Sequence, residues 1–175
     1  MASNIGKYIV GSRTKHSVGT VTSFLPIRTV TNGAKVTETG GVYNFAMVEL
    51  AYVDGVPTVK YATALATAAN VFLTVTPENV LESYGEKICD FFNDKDELAT
   101  VAYLEKGLTF ETSRFTSPTT AAVGDFAIWD ATTKAFIVKA IPEVTDIKVF
   151  QIQSIEADEK YNIDNLTLVE LVVIR

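Results

Sequence analysis

Apolar and polar residues alternate with a period of two along much of this chain, and that pattern predicts strands. Valine and threonine recur throughout, and β-branched side chains fit a pleated, half-buried surface. The stretch YNFAMVELAYV (43–53) puts Phe45, Met47, Glu49 and Ala51 on one face. It meets Asp54-Gly55 and resumes as VPTVKYA. Such a pair between two extended runs predicts a hairpin, because a type I′ turn needs positive φ at both central residues. Pro57 has no N–H to give to a ladder, so the return strand is expected to begin on an edge.

Val71, Phe72, Leu73 and Val75 predict a buried strand. TPENVLESYGEK then carries the one helix expected. Thr76 suits the N-cap, Pro77 the first helical position, and Glu78 and Glu82 the positive end of the dipole. Gly85 is expected to stop this helix after about two turns. In LATVAYLEKGLTFETSRF, Val101 and Tyr103, then Leu108, Phe110 and Thr112, form two alternating runs around a glycine turn. A helix from Asp96 to Glu105 is the rival, since DELATVAYLEK has good helix formers; strand is the reading adopted. TSRFTSPTTAA is expected to be an exposed loop.

AVGDFAIWDATTKAF (122–136) holds two aspartates, the lone tryptophan and a glycine within a few positions. It predicts a hairpin with Phe126 and Ile128 on one side and Asp125, Ala127 and Trp129 on the other. Phe136 and Val138 are expected to answer Phe126 and Ile128 across the turn. Asp125 and Asp130 stand where carboxylates bond turn N–H groups. They would also lie on opposite faces, a poor arrangement for a carboxylate pair acting on one bond. Near the end, KVFQIQS alternates cleanly, with Phe150 and Ile152 opposite Val149, Gln151 and Gln153. LTLVELVVI is almost continuously apolar, as a central or subunit-covered strand would be.

These elements predict a mainly β protein: an antiparallel β-barrel or β-sandwich with one short helix and an extended N-terminal arm. The chain has 175 residues, 47% hydrophobic and 21% charged, enough to bury a core in one domain. The organisation expected is a basic arm over 1–36 and a β-rich body over 37–175. Net charge is −6, unevenly spread. Lys7, Arg13, Lys15, Arg28 and Lys35 precede the first acid, Glu38, so the acids all lie on the rest of the chain. Blocks of one sign are often interaction tails, and Lys7, Arg13, Lys15 and Arg28 are the candidate partner-binding residues. Their sparse spacing, without interleaved aromatics, argues against nucleic acid. A transit peptide would also be basic, but VGTVTSFLPIRTV is β-branched and proline-broken, a poor amphipathic helix. The first twenty residues lack the apolar core of a secretory signal, and no apolar run reaches membrane-spanning length.

Candidate chemistry is thin. The single cysteine, Cys89, excludes an internal disulfide and a multi-cysteine zinc site, and reads as a half-buried hydrophobe. His16, the only histidine, would have to serve any Ser-His-Asp triad from within the arm. Gly40-Gly41 lacks the spacing of a phosphate loop and reads as a turn. Hard-cation ligands could come from Asn93, Asp94, Asp96 and Glu97, or from Glu156, Asp158, Glu159 and Asp164. Neither stretch has the EF-hand spacing, so solvated acidic loops are preferred, and no cofactor is expected. Tyr43, Tyr52, Tyr61 and Trp129 could make an aromatic platform for sugars, although strand aromatics more often pack in a core or at a subunit contact.

DELATVAYLEKGLTFETSRF followed by AVGDFAIWDATTKAFIV resembles proteins that decorate or cement the capsids of tailed bacteriophages. The likeness lies in a strand, LEKG, a second strand, a loop, and a VGD strand with a short polar hairpin, about a third of the chain. The resemblance implies a small β-rich module, often oligomeric, that binds the assembled shell from outside and has no catalytic residues. The expected partners are then the major capsid protein or other virion proteins, with a homo-oligomer and neither membrane nor nucleic acid. The expected location is the capsid surface of the virion, after synthesis in the host cytoplasm. A tail-tube or head-completion component, a carbohydrate- or receptor-binding module, and an enzyme are the alternatives.

Overall fold

The structure, a computed structural model, describes residues 19–23, 26–77, 93–157 and 167–175. Among them, strands β1 (Gly19–Val21), β8 (Thr109–Thr112), β12 (Thr167–Val173), β11 (Phe150–Ala157), β9 (Phe126–Asp130) and β10 (Ala135–Lys139) lie in that order in a first sheet. The second sheet runs β6 (Leu98–Ala99), β2 (Ala34–Val36), β4 (Val56–Tyr61), β3 (Met47–Val53), β5 (Val71–Thr74) and β7 (Val101–Tyr103). Neither sheet closes on itself, so of the two architectures expected the chain adopts the sandwich-like one. The first sheet is antiparallel throughout; the second contains one parallel pair, β2 with β4.

The β3–β4 hairpin forms as its turn residues predict. Asp54 and Gly55 have φ of 51° and 78°, the double positive value of a type I′ turn. Pro57 faces Tyr52 in β3, while β2 pairs only with Thr58 and Val59. Among the described residues, the proline thus lies beyond the β2 pairing, where a missing N–H costs no ladder bond. The helix expected after Thr76, with Cys89, falls outside the described residues. The hydroxyl of Thr76 itself accepts from Thr100 N at 3.0 Å and donates to Asn93 Oδ1.

β7 and β8 are both strands, in line with the reading adopted over a helix. They are not partners: β7 pairs with β5 and β8 with β1 and β12. The corner between them carries the chain from one sheet to the other. Leu104 and Leu108 are buried there, and Gly107 N bonds Val173 O at 2.8 Å.

The β9–β10 hairpin departs from expectation by one residue. Phe136 stands opposite Trp129, and Val138 opposite Ala127. The core-facing side is therefore buried Ala127 and Phe136 with partly buried Trp129 and Val138, while Phe126 and Ile128, also half-buried, lie on the other side. The cause is the third strand. Phe150 of β11 lies opposite Ala127, and the small alanine leaves room for the Phe136 and Phe150 rings to meet edge to face at 5.1 Å. Asp125 and Asp130 do shape turns. Asp125 Oδ2 accepts from Ala122 N at 2.9 Å, and Asp130 accepts from Thr132 N, Thr133 N and the Thr133 hydroxyl.

The main core lies between the sheets, where Phe110, Phe136 and Phe150 pack with Met47, Leu73, Ile152 and Leu171. A second cluster of Val36, Val48, Val59, Tyr61, Phe72 and Val101 lies on the other face of the second sheet. Trp129 touches both clusters and donates its indole N–H to Ala62 O at 3.1 Å.

Of the segment expected to be an arm, residues 1–18 lie outside the described residues. The later part belongs to the sheets: β1 pairs with β8, and β2 with β4 and β6. β1 docks at Gly19. A Cβ there would collide with the Glu111 carbonyl oxygen and lie 2.8 Å from the Phe45 ring. Phe45 holds an uncommon φ of 51°, fixed by its N–H to Thr74 O at 2.9 Å and by the Thr112 hydroxyl on its carbonyl at 3.2 Å.

Candidate functional site: a cationic pocket over two tyrosines

Beyond the end of β4 and beside the β9–β10 turn, the surface dips into a pocket of about 340 Å³ lined by Glu38, Gly40, Gly41, Tyr43, Tyr61, Arg114 and Lys134. Its floor is aromatic. Tyr61 is buried and its hydroxyl accepts from Tyr43 N at 2.9 Å. Burial pushes that phenol well above its ordinary pKa, so it remains protonated. Behind it, the Trp129 ring stacks at 6.3 Å between centroids.

The rim is charged. Arg114 lies just past β8, and its guanidinium sits 4.0 Å from the Tyr43 ring centroid. The β9–β10 turn fixes it: Arg114 Nε donates to Lys134 O at 2.7 Å and Nη2 to Thr133 O at 3.4 Å. Lys134 Nζ stands 4.4 Å from the Tyr61 centroid and 3.2 Å from Glu38 Oε1. Two cations over aromatic faces, with one carboxylate beside them, can hold an anion and accept bonds from neighbouring hydroxyls.

A smaller hollow of about 170 Å³ lies between Met47, Ile128, Trp129 and Lys148. Burial holds the Lys148 ammonium below its ordinary pKa, and it donates to Leu104 O at 2.9 Å.

The other candidates from the sequence are dispersed. Of the four basic residues, Lys7, Arg13 and Lys15 lie outside the described residues. Arg28 pairs with Glu105 at 2.6 Å and covers the Tyr103 ring at 4.7 Å. Lys35 pairs with Asp96 at 2.9 Å, and the Asn93 side chain donates to Val42 O at 3.2 Å. Among the described residues, no three His, Cys, Asp or Glu side chains gather where a metal could bind. His16 and Cys89 both fall outside those residues.

The aromatic platform is only partly assembled: Tyr43, Tyr61 and Trp129 come together, while Tyr52 is exposed on the β3 end of its hairpin. Tyr61 and Trp129 are committed to packing rather than to an open face. Arg114, Lys134 and Glu38 went unseen in the sequence. They come from three separate segments, and only the tertiary fold brings them to one rim.

The fold and this pocket define a small sandwich-like β protein with a ligand-sized, positively charged depression on its surface. The chain belongs to the YonC prophage protein family, whose pattern it matches over residues 12–174. It is thus a phage-derived protein. No curated protein matches the sequence.

Proposed function

We propose that this protein is a non-enzymatic virion component that binds the outside of an assembled phage capsid and stabilises it. The observation that carries this reading is the display of large apolar side chains at separate places on the sandwich. Tyr52, Leu65 and Val144 are 67%, 92% and 94% exposed, near the end of β3 and on the β4–β5 and β10–β11 connections. Burying such side chains against a partner surface would be favourable. Prophage family membership supports a role in the particle, and the capsid resemblance of the LEKG and VGD segments narrows that role to decoration. The partners are then the major capsid protein, other virion proteins and further copies of this chain. The arm cations Lys7, Arg13, Lys15 and Arg28 add charge complementarity to the contact, without membrane or nucleic acid. The protein would be made in the host cytoplasm and end on the virion surface.

The test is co-sedimentation of the purified protein with emptied phage heads, with its solution mass measured by light scattering. Saturable binding to heads, and a discrete oligomer, are the expected results. Protein that stays in the supernatant overturns the reading, and labelling at the tail instead transfers the protein to tail or head completion. Removing residues 1–17 is expected to weaken head binding; undiminished binding takes the arm out of the interface.

A further inference from the structure

The geometry points to a second property, independent of capsid binding: we infer that the pocket over Tyr43 and Tyr61 binds a carboxylated sugar of the uronic-acid class. Arg114 is held ready before any ligand arrives. Its two bonds to the β9–β10 turn use two of the five guanidinium N–H donors, and its plane is set against Tyr43. Such preorganisation lowers the ordering cost of binding. A planar donor fork suits a carboxylate, which it can grip at both oxygens.

Lys134 gives a separate sign. It occupies the left-handed region at φ 53°, where glycine sits without strain and a side chain is uncommon. Here that conformation closes the β9–β10 turn, and it projects the Lys134 ammonium over Tyr61 and beside Glu38, into the pocket.

The rest of the lining selects within the anions. Glu38 would repel a dianionic phosphate placed on Lys134, but its carboxylate accepts bonds from sugar hydroxyls. Tyr43, half-buried at the floor, leaves some apolar surface for a pyranose ring, and 340 Å³ is a small-ligand volume. A monoanion rich in hydroxyls satisfies every group present. The same uronate could arrive free or as a unit of a surface polysaccharide.

Trp129, the only tryptophan, stacks on Tyr61 beneath the pocket and serves as reporter. Its fluorescence is followed in the full chain during titration with galacturonate, its linear trimer, galactose and inorganic phosphate. Galacturonate is expected to saturate with a Kd of about 1 mM, as for small ligands with few contacts. Galactose and phosphate are expected to bind at least about tenfold more weakly, or 1.4 kcal/mol. Tighter binding of the trimer assigns the sugar to a polymer, and equal binding to a free acid. Arg114→Gln is expected to lower galacturonate affinity about tenfold. Because that change could also loosen the turn, Lys134→Gly is the decisive variant: it should weaken galacturonate while leaving the melting temperature unchanged or raised. The proposal is overturned by absence of galacturonate binding, by galactose or phosphate binding as well as galacturonate, or by unchanged affinity in Lys134→Gly.

Discussion

The two sheets bury their residues differently. In β11 of the first sheet, Phe150 and Ile152 are buried while Gln151 and Gln153, which alternate with them, are not. In β5 of the second sheet, all four residues from Val71 to Thr74 are buried. The first sheet packs a single face against the core, so its strands carry the alternation of one wet and one dry side. The middle of the second sheet is dry on both sides, with Leu73 in the core between the sheets and Phe72 in the cluster beyond it. A sandwich of this kind therefore has two cores, joined through the central strands of one sheet and through Trp129.

That comparison can be broken most directly at its aromatic centres. Phe136→Ala is expected to cost about 3–5 kcal/mol, and Phe72→Ala nearly as much, in denaturant unfolding. A loss below about 1 kcal/mol for Phe72→Ala would mean that the outer cluster is a surface patch rather than a core.

A smaller effect is expected where the N-terminal strand docks on the first sheet. Gly19→Ala should cost about 1–3 kcal/mol, because the new methyl meets the Glu111 carbonyl and the Phe45 ring. A neutral result would show that β1 contributes little to that sheet.

The mildest comparison is electrostatic, with one carboxylate in each sheet. Asp130 is held below its ordinary pKa by hydrogen bonds from Thr133 and Thr132. Glu49, in β3, is opposed by burial, yet bonds from Lys60 and Thr63 outweigh that and also lower it. A carboxylate whose folded pKa is depressed stabilises fully above its unfolded value and loses that contribution as pH falls through the folded one. Stability should therefore hold at neutral pH and fall in the acid range below the ordinary values of 3.8 for Asp130 and 4.5 for Glu49. Asp130→Asn and Glu49→Gln should each flatten part of that acid limb in a series of melts. An unchanged limb would mean that other carboxylates govern acid unfolding.

Local chemistry made much of this fold legible. Asp54-Gly55 announced its hairpin, and Asp130 its turn, because turn residues act on their own neighbours. The alternation of β11 and the apolar run of β12 were equally plain. What escaped was whatever a third element decides. Period two says that a strand has two faces, but Phe150 opposite Ala127 determines which face of β9 is buried. A glycine turn after Tyr103 says that the chain bends, but not that it leaves one sheet for the other. β2 is three residues long and its parallel partner β4 lies more than twenty residues on, so a short segment inside a basic stretch read as arm. The pocket follows the same rule: its tyrosines were noticed as aromatics, while Arg114 and Lys134 acquire meaning only when β8 and the β9–β10 turn meet.

The strand order also constrains how the protein is made. In the first sheet β12 lies between β8 and β11, although it is the last of these strands in chain order. While the ribosome is still working, β1 with β8 and β9 with β10 and β11 can form only two separate ribbons, each with an unsatisfied edge. The final strand closes the gap between them. Maturation of this sheet is therefore a late and single event, and a nascent chain stalled before Thr167 would carry both edges exposed to solvent, open to capture by chaperones or by other unfinished copies.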